Sequence, residues 1–216
     1  MSELIDQYFV KHLELSRDDA FKLHQEYYTA YGLAIEGLVR HHKIDPLDYN
    51  RQVDDALPLE DIIFPDPELR KLLEDMDRTK VKLWLFTNAY VNHGKRVVRL
   101  LGVDDQFEGM TFCDYAQQPM LCKPDPRMFK KAMAEAGVKE LKDCYFVGRL
   151  HLILGSSCLT AVDDSALNCR KAEELGWTTA HLVEEGDPLP TQKPCKYQIR
   201  HLNELRVLFP QFFKTS

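Results

Sequence analysis

Three short polar clusters in this sequence are equipped for chemistry. Thr87-Asn88 directly follows the apolar run Val81 to Phe86. Lys123 sits in Cys122-Lys123-Pro124-Asp125-Pro126, and Asp163-Asp164-Ser165 directly follows Val162. A hydroxyl beside an amide, with nearby backbone N–H groups, binds phosphate oxygens, and an ammonium offsets negative charge on a group in transfer. Adjacent carboxylates hold a hard cation such as Mg2+ through oxygen. Together these groups spell magnesium-assisted phosphate chemistry. Each cluster also has a purely structural reading. Thr87-Asn88 and Asp163-Asp164-Ser165 could cap the helices that follow them, and Lys123 could be a solvated loop lysine. Three such clusters in order, each at or beyond a predicted strand end, favour the chemical reading.

The elements that must position them alternate. Amphipathic spacing predicts helices over residues 3–15, from Ser16 to Gly32 and from Leu33 to His42, with a further short helix opened by Pro46. After Pro58 the texture changes. Strands are predicted at Val81–Phe86, Met110–Cys113, Cys144–Val147, Thr178–Val183 and Tyr197–Ile199. Helices are predicted at Glu68–Met76, Val91–Leu101, Pro126–Ala136, Ser165–Leu175 and Leu202–Leu208. Such alternation implies a parallel, Rossmann-like α/β sheet, whose ligands sit at the carboxyl ends of the strands. The domain expectation is a flanking helix over 1–15, a helical cap over 16–60 and an α/β core over 61–216.

Composition narrows the partners. The chain has 216 residues, enough to bury a core without disulfides. Its formal net charge of −6 argues against a nucleic-acid or anionic-membrane surface as the main partner. The six cysteines form no Cys-x-x-Cys and the eight histidines no His-x-x-x-His. A structural zinc site is therefore not expected. No apolar stretch is long enough to span a bilayer, and the acidic start lacks a signal-peptide core. A reducing cytoplasmic location is expected.

Phe86-Thr87-Asn88-Ala89, then Lys123-Pro124, then Asp163-Asp164-Ser165-Ala166-Leu167-Asn168 resemble the second, third and fourth motifs of the haloacid-dehalogenase-like (HAD) superfamily. Outside the motifs, Tyr31 to Val39, Tyr49 to Asp55, Leu83 to Tyr90 and Phe112 to Tyr115 resemble one branch, the fungal pyrimidine 5′-nucleotidases. The resemblance implies a Mg2+-dependent hydrolysis of pyrimidine nucleoside 5′-monophosphates such as UMP or CMP. Thr87, Asn88 and Lys123 would grip the phosphate, Lys123 would assist catalysis, and Asp163 and Asp164 would hold the metal. The helical cap would select the base.

Two departures stand out. The family pattern opens with a strand ending in Asp-x-Asp, whose first aspartate becomes an aspartyl-phosphate and whose second moves protons. No apolar strand with that ending appears here, and Asp18-Asp19 and Asp54-Asp55 lie in helical surroundings. The sheet is thus expected to lack its first, central strand, and the chain to turn over poorly. Second, Gly148 to Ala161 separates Tyr145-Phe-Val147 from Val162-Asp-Asp, which the family would join almost directly. A translated intron is the expected origin, since the insert is apolar at Leu150, Leu152, Ile153 and Leu154 and loops are rarely so oily; the alternatives are a surface loop and a run in which Leu159–Val162 replaces Cys144–Val147 as the strand. The alternative function is a non-catalytic relative that binds a nucleotide or a protein.

Overall fold

The computed structural model describes residues 1–149, 164–183, 186 and 188–215. Four helices come first: α1 (Ser2–Leu13), α2 (Arg17–Tyr31), α3 (Ala34–His41) and α4 (Pro46–Gln52). Local chemistry sets their ends. The Ser16 hydroxyl oxygen accepts from the Asp19 backbone N–H at 3.2 Å, opening α2. Gly32, at φ +79°, closes it in a left-handed turn that side-chain-bearing residues disfavour. The Asp45 carboxylate accepts from the Leu47 N–H at 2.9 Å, and Pro46 supplies the preset φ of a first turn.

Their apolar faces meet in one core. Phe9, Ile35, Leu38 and Val53 are buried there with Tyr8, Tyr27 and Tyr49. Each large aliphatic or aromatic side chain buried this way contributes roughly 1.5–3 kcal/mol. Gly37 allows α3 to lie directly on the Tyr27 ring, where any side chain would collide. Cys113, Tyr115, Met120 and Cys122 belong to the same core, so the helical part is welded to the loops of the α/β part.

The second part alternates as predicted. Its elements are α5 (Pro67–Glu74), β1 (Trp84–Phe86), α6 (Val91–Leu100), β2 (Gly109–Thr111), α7 (Pro126–Ala136), β3 (Tyr145–Arg149), α8 (Asp164–Glu174), β4 (Thr178–Leu182), β5 (Tyr197–Ile199) and α9 (Leu205–Leu208). Every strand pairing among the described residues is parallel. The first strand is shorter than its apolar run suggested, because its partner β2 offers only three residues. β3 extends past Val147, since Gly148 and Arg149 pair with His181 and Leu182 of β4. The terminal helix is divided: the Glu204 carboxylate accepts from the Arg200 and His201 N–H groups at 2.6 and 2.8 Å, fixing a tight turn at Leu202–Glu204 before α9.

Among the described residues the strands form two sheets, β1-β2 and β3-β4-β5, with no ladder joining β1 to β3. Side chains span the interval instead. The Phe86 and Phe146 ring centroids lie 5.9 Å apart, and Phe129 and Trp177 complete the aromatic cluster. On the opposite face of β3, Tyr145 and Val147 stay 42% and 39% exposed, high for a strand of a doubly covered sheet.

Candidate active site

Thr87 and Asn88 leave the carboxyl end of β1. The Thr87 N–H donates to the Thr111 carbonyl at 3.0 Å, continuing the β1–β2 ladder by one residue. The Thr87 hydroxyl oxygen then accepts from the Ala89 N–H at 3.0 Å and turns the chain toward α6. Asn88 is buried and points sideways, to the loop before α7. Its Nδ2 donates to the Lys123 carbonyl at 2.9 Å, and its Oδ1 accepts from the Lys123 N–H at 2.8 Å.

That clamp aims the Lys123 side chain back at the sheet. Nζ donates to the Phe86 carbonyl at 2.8 Å and lies 4.7 Å from the Phe86 ring centroid and 5.2 Å from that of Phe146. The ammonium therefore stands at the carboxyl end of β1, between the two sheets. Lys123 is only 7% exposed. The carbonyl and the two ring faces stand close to this poorly hydrated cation. Gly32 closes the far side of the loop: a Cβ there would lie 2.6 Å from the Lys123 carbonyl oxygen. The Cys122 thiol donates to the Tyr31 carbonyl at 3.6 Å.

The structure thus brings Thr87, Asn88 and Lys123 into one place. Asp163 lies outside the described residues, as does most of the Gly148–Ala161 run. Asp164 begins α8, and its side chain also lies outside the described set. Among the described residues no group of three or more His, Cys, Asp or Glu side chains is placed to hold a metal ion.

Two carboxylate sites deserve comparison with an attacking aspartate. Asp75-Met76-Asp77 has the Asp-x-Asp spelling, and it follows the helix α5 rather than a strand. Asp75 is engaged by Lys71 at 2.6 Å and Arg206 at 2.7 Å. Asp77 accepts from the Thr79 hydroxyl at 2.6 Å and pairs with Lys80 at 3.1 Å. The Thr79 hydroxyl and N–H, then Lys80, hold Asp77 down to about 2. The pair precedes the amino end of β1, opposite Thr87, so it does not serve the site. Asp54 differs: burial pushes its carboxyl up to about 6, against a hydrogen bond from Tyr115. Tyr115 in turn stacks on Tyr90 at 5.3 Å, just beyond Asn88. Asp54 thereby links the helical part to the β1 loop, a relation with no local sequence signal.

A family model described as haloacid dehalogenase-like hydrolase matches residues 3–148. The chain belongs to this family. A relative of this HAD-like chain is Phosphate metabolism protein 8 of Saccharomyces cerevisiae (strain ATCC 204508 / S288c), 36% identical over 194 residues. That match covers 86% of this chain and 56% of the relative, so the chain spans about half the length of the curated protein it matches. Among solved structures, a dehalogenase in an intermediate complex aligns with TM-score 0.57 at 18% identity, covering 98% of this chain and 92% of its own. A HAD phosphatase from Thermococcus onnurineus aligns with TM-score 0.53 at 20% identity, covering 96% and 91%. At that identity the two structures establish the HAD-like fold: an α/β core with parallel strands and a helical cap.

Proposed function

We propose that this HAD-like hydrolase chain is built around the dephosphorylation of pyrimidine nucleoside 5′-monophosphates such as UMP and CMP. The observation that carries the reading is the buried Lys123 ammonium, clamped by Asn88 at the carboxyl end of β1. A phosphoryl dianion docked there meets the Lys123 charge. The Thr87 hydroxyl supplies a donor for its oxygens. The helices within 16–60 act as the cap over the leaving nucleoside.

Asp163 and Asp164 would hold Mg2+. Adjacent carboxylates suit that ion, which takes one or two carboxylates and fills its remaining positions with water and substrate oxygens. When bound, it supplies charge neutralisation at the phosphate. Transfer to an aspartate also requires an attacking carboxylate at the phosphorus. Among the described residues no strand ends in Asp-x-Asp, and Asp75 and Asp77 are committed elsewhere. These residues therefore bind and orient a phosphomonoester and turn it over little.

The test is calorimetric binding of UMP with and without Mg2+, alongside release of inorganic phosphate. Saturable UMP binding that falls on Lys123→Met, with negligible release, is the expected result. Absence of binding overturns the site assignment, and rapid phosphate release overturns the claim about the nucleophile.

A further inference from the structure

We propose that a pocket on the α2–α3 hairpin binds a small organic cation, such as a quaternary ammonium group. This goes beyond the phosphate reading and does not rest on it. The pocket has a volume of about 280 Å³ and is lined by Leu23, Glu26, Tyr27, Ala30, Tyr31 and His41. The five α2 residues recur at helical spacing, so they share one face of the helix. Ala30 carries only a methyl group and leaves room between the larger side chains.

The rings are prepared for a cation. The Tyr31 hydroxyl is hydrogen-bonded to His41 Nε2 at 2.7 Å, and the Tyr27 hydroxyl to His42 Nε2 at 2.8 Å. Tyr27 is only 6% exposed and Tyr31 half-buried, so Tyr31 is the ring with more surface left for a ligand. His41 stacks on Tyr27 with centroids 5.4 Å apart and an interplanar angle of 20°, bracing the aromatic wall. The Arg40 guanidinium already lies 5.0 Å over the Tyr31 ring, so this aromatic group accepts a cation within the chain itself.

Charge selects the ligand class. Glu26 is exposed at the pocket rim, and its carboxylate has no ion pair or hydrogen bond to any described residue. Its charge bears on the neighbouring Tyr27 phenol, which burial and then Glu26 push up. A cation gains from both the ring quadrupoles and the carboxylate; a neutral ligand of the same shape gains from neither.

The experiment is an NMR titration of the full chain with choline and with its neutral isostere 3,3-dimethyl-1-butanol. Choline is expected to shift the Glu26, Tyr27, Ala30 and Tyr31 resonances saturably. The isostere should bind about three- to fivefold more weakly, the scale of an exposed cation–π contact. Tyr31→Leu and Glu26→Gln should each weaken choline by a similar factor. Glu26 is exposed, so that variant keeps the fold and stays informative if Tyr31→Leu unfolds. Equal affinity for choline and the isostere, unchanged choline affinity in Glu26→Gln, or no saturable shifts on this helix face would each overturn the proposal.

Discussion

Asn88 and Lys123 hold each other through two buried hydrogen bonds, carboxamide N–H to carbonyl at 2.9 Å and backbone N–H to carboxamide oxygen at 2.8 Å. The asparagine thereby acts as a surrogate backbone, tying the β1 turn to the loop before α7. Asn88→Ala leaves a buried N–H and a buried C=O unsatisfied and should cost about 2–4 kcal/mol. Urea denaturation of the variant beside the parent measures it; a loss below about 0.5 kcal/mol would show that solvent reaches this loop.

Lys123→Met keeps an aliphatic stem between the Phe86 and Phe146 rings and removes the ammonium together with its hydrogen bond to the Phe86 carbonyl. UMP affinity should fall roughly ten- to a hundredfold, the scale of a hydrogen bond to a charged group. Calorimetry reads the change. Stability should fall by about 1–3 kcal/mol, because the Phe86 carbonyl loses its donor, a loss that relief of the buried ammonium offsets in part.

Asp54 makes stability depend on pH. Its carboxyl is raised from 3.8 to about 6 by burial. Below about pH 4 it is protonated in both folded and unfolded chains, and its contribution is fully present. As pH rises toward 6 the unfolded chain ionises first, and that contribution is lost. Asp54→Asn should therefore match the parent near pH 4 and exceed it at pH 7–8, by up to roughly 3 kcal/mol. Urea midpoints of both proteins from pH 4 to 8 test the sign; an unchanged difference across that range would refute it.

Gly32→Ala confronts both a left-handed backbone, at φ +79°, and the Lys123 carbonyl 2.6 Å from the new Cβ. Gly137→Ala faces a similar φ of +73° with no atom within 4 Å. The second should cost about 1 kcal/mol of backbone strain and the first distinctly more. Only Gly32→Ala should also weaken UMP, because the clash displaces the Lys123 loop. Thermal melts and calorimetry of the pair separate strain from crowding.

Much of this architecture was legible locally. Ser16, Gly32, Pro46, Pro126 and Gly137 mark helix ends because each acts on its own backbone. The apolar runs announced the strands, and the polar residues beyond Phe86 announced the site. What escaped depends on distant partners. The length of β1 is set by β2, the continuation of β3 by β4, and the burial of Lys123 by two phenylalanines from different strands. Asp54 looked like one more helical acid, and only the packing of Tyr49 and Tyr115 around it changes its chemistry.

The interrupted sheet has a mechanical consequence. Among the described residues no peptide-to-peptide bond joins β1 to β3, and aromatic rings and one lysine bridge the interval, contacts that slide where a ladder would shear. Amide hydrogens of β4, flanked on both sides, should therefore outlast those of β1 in deuterium exchange. A margin of β1 or β3 that no strand pairs is a template on which an extended chain can add.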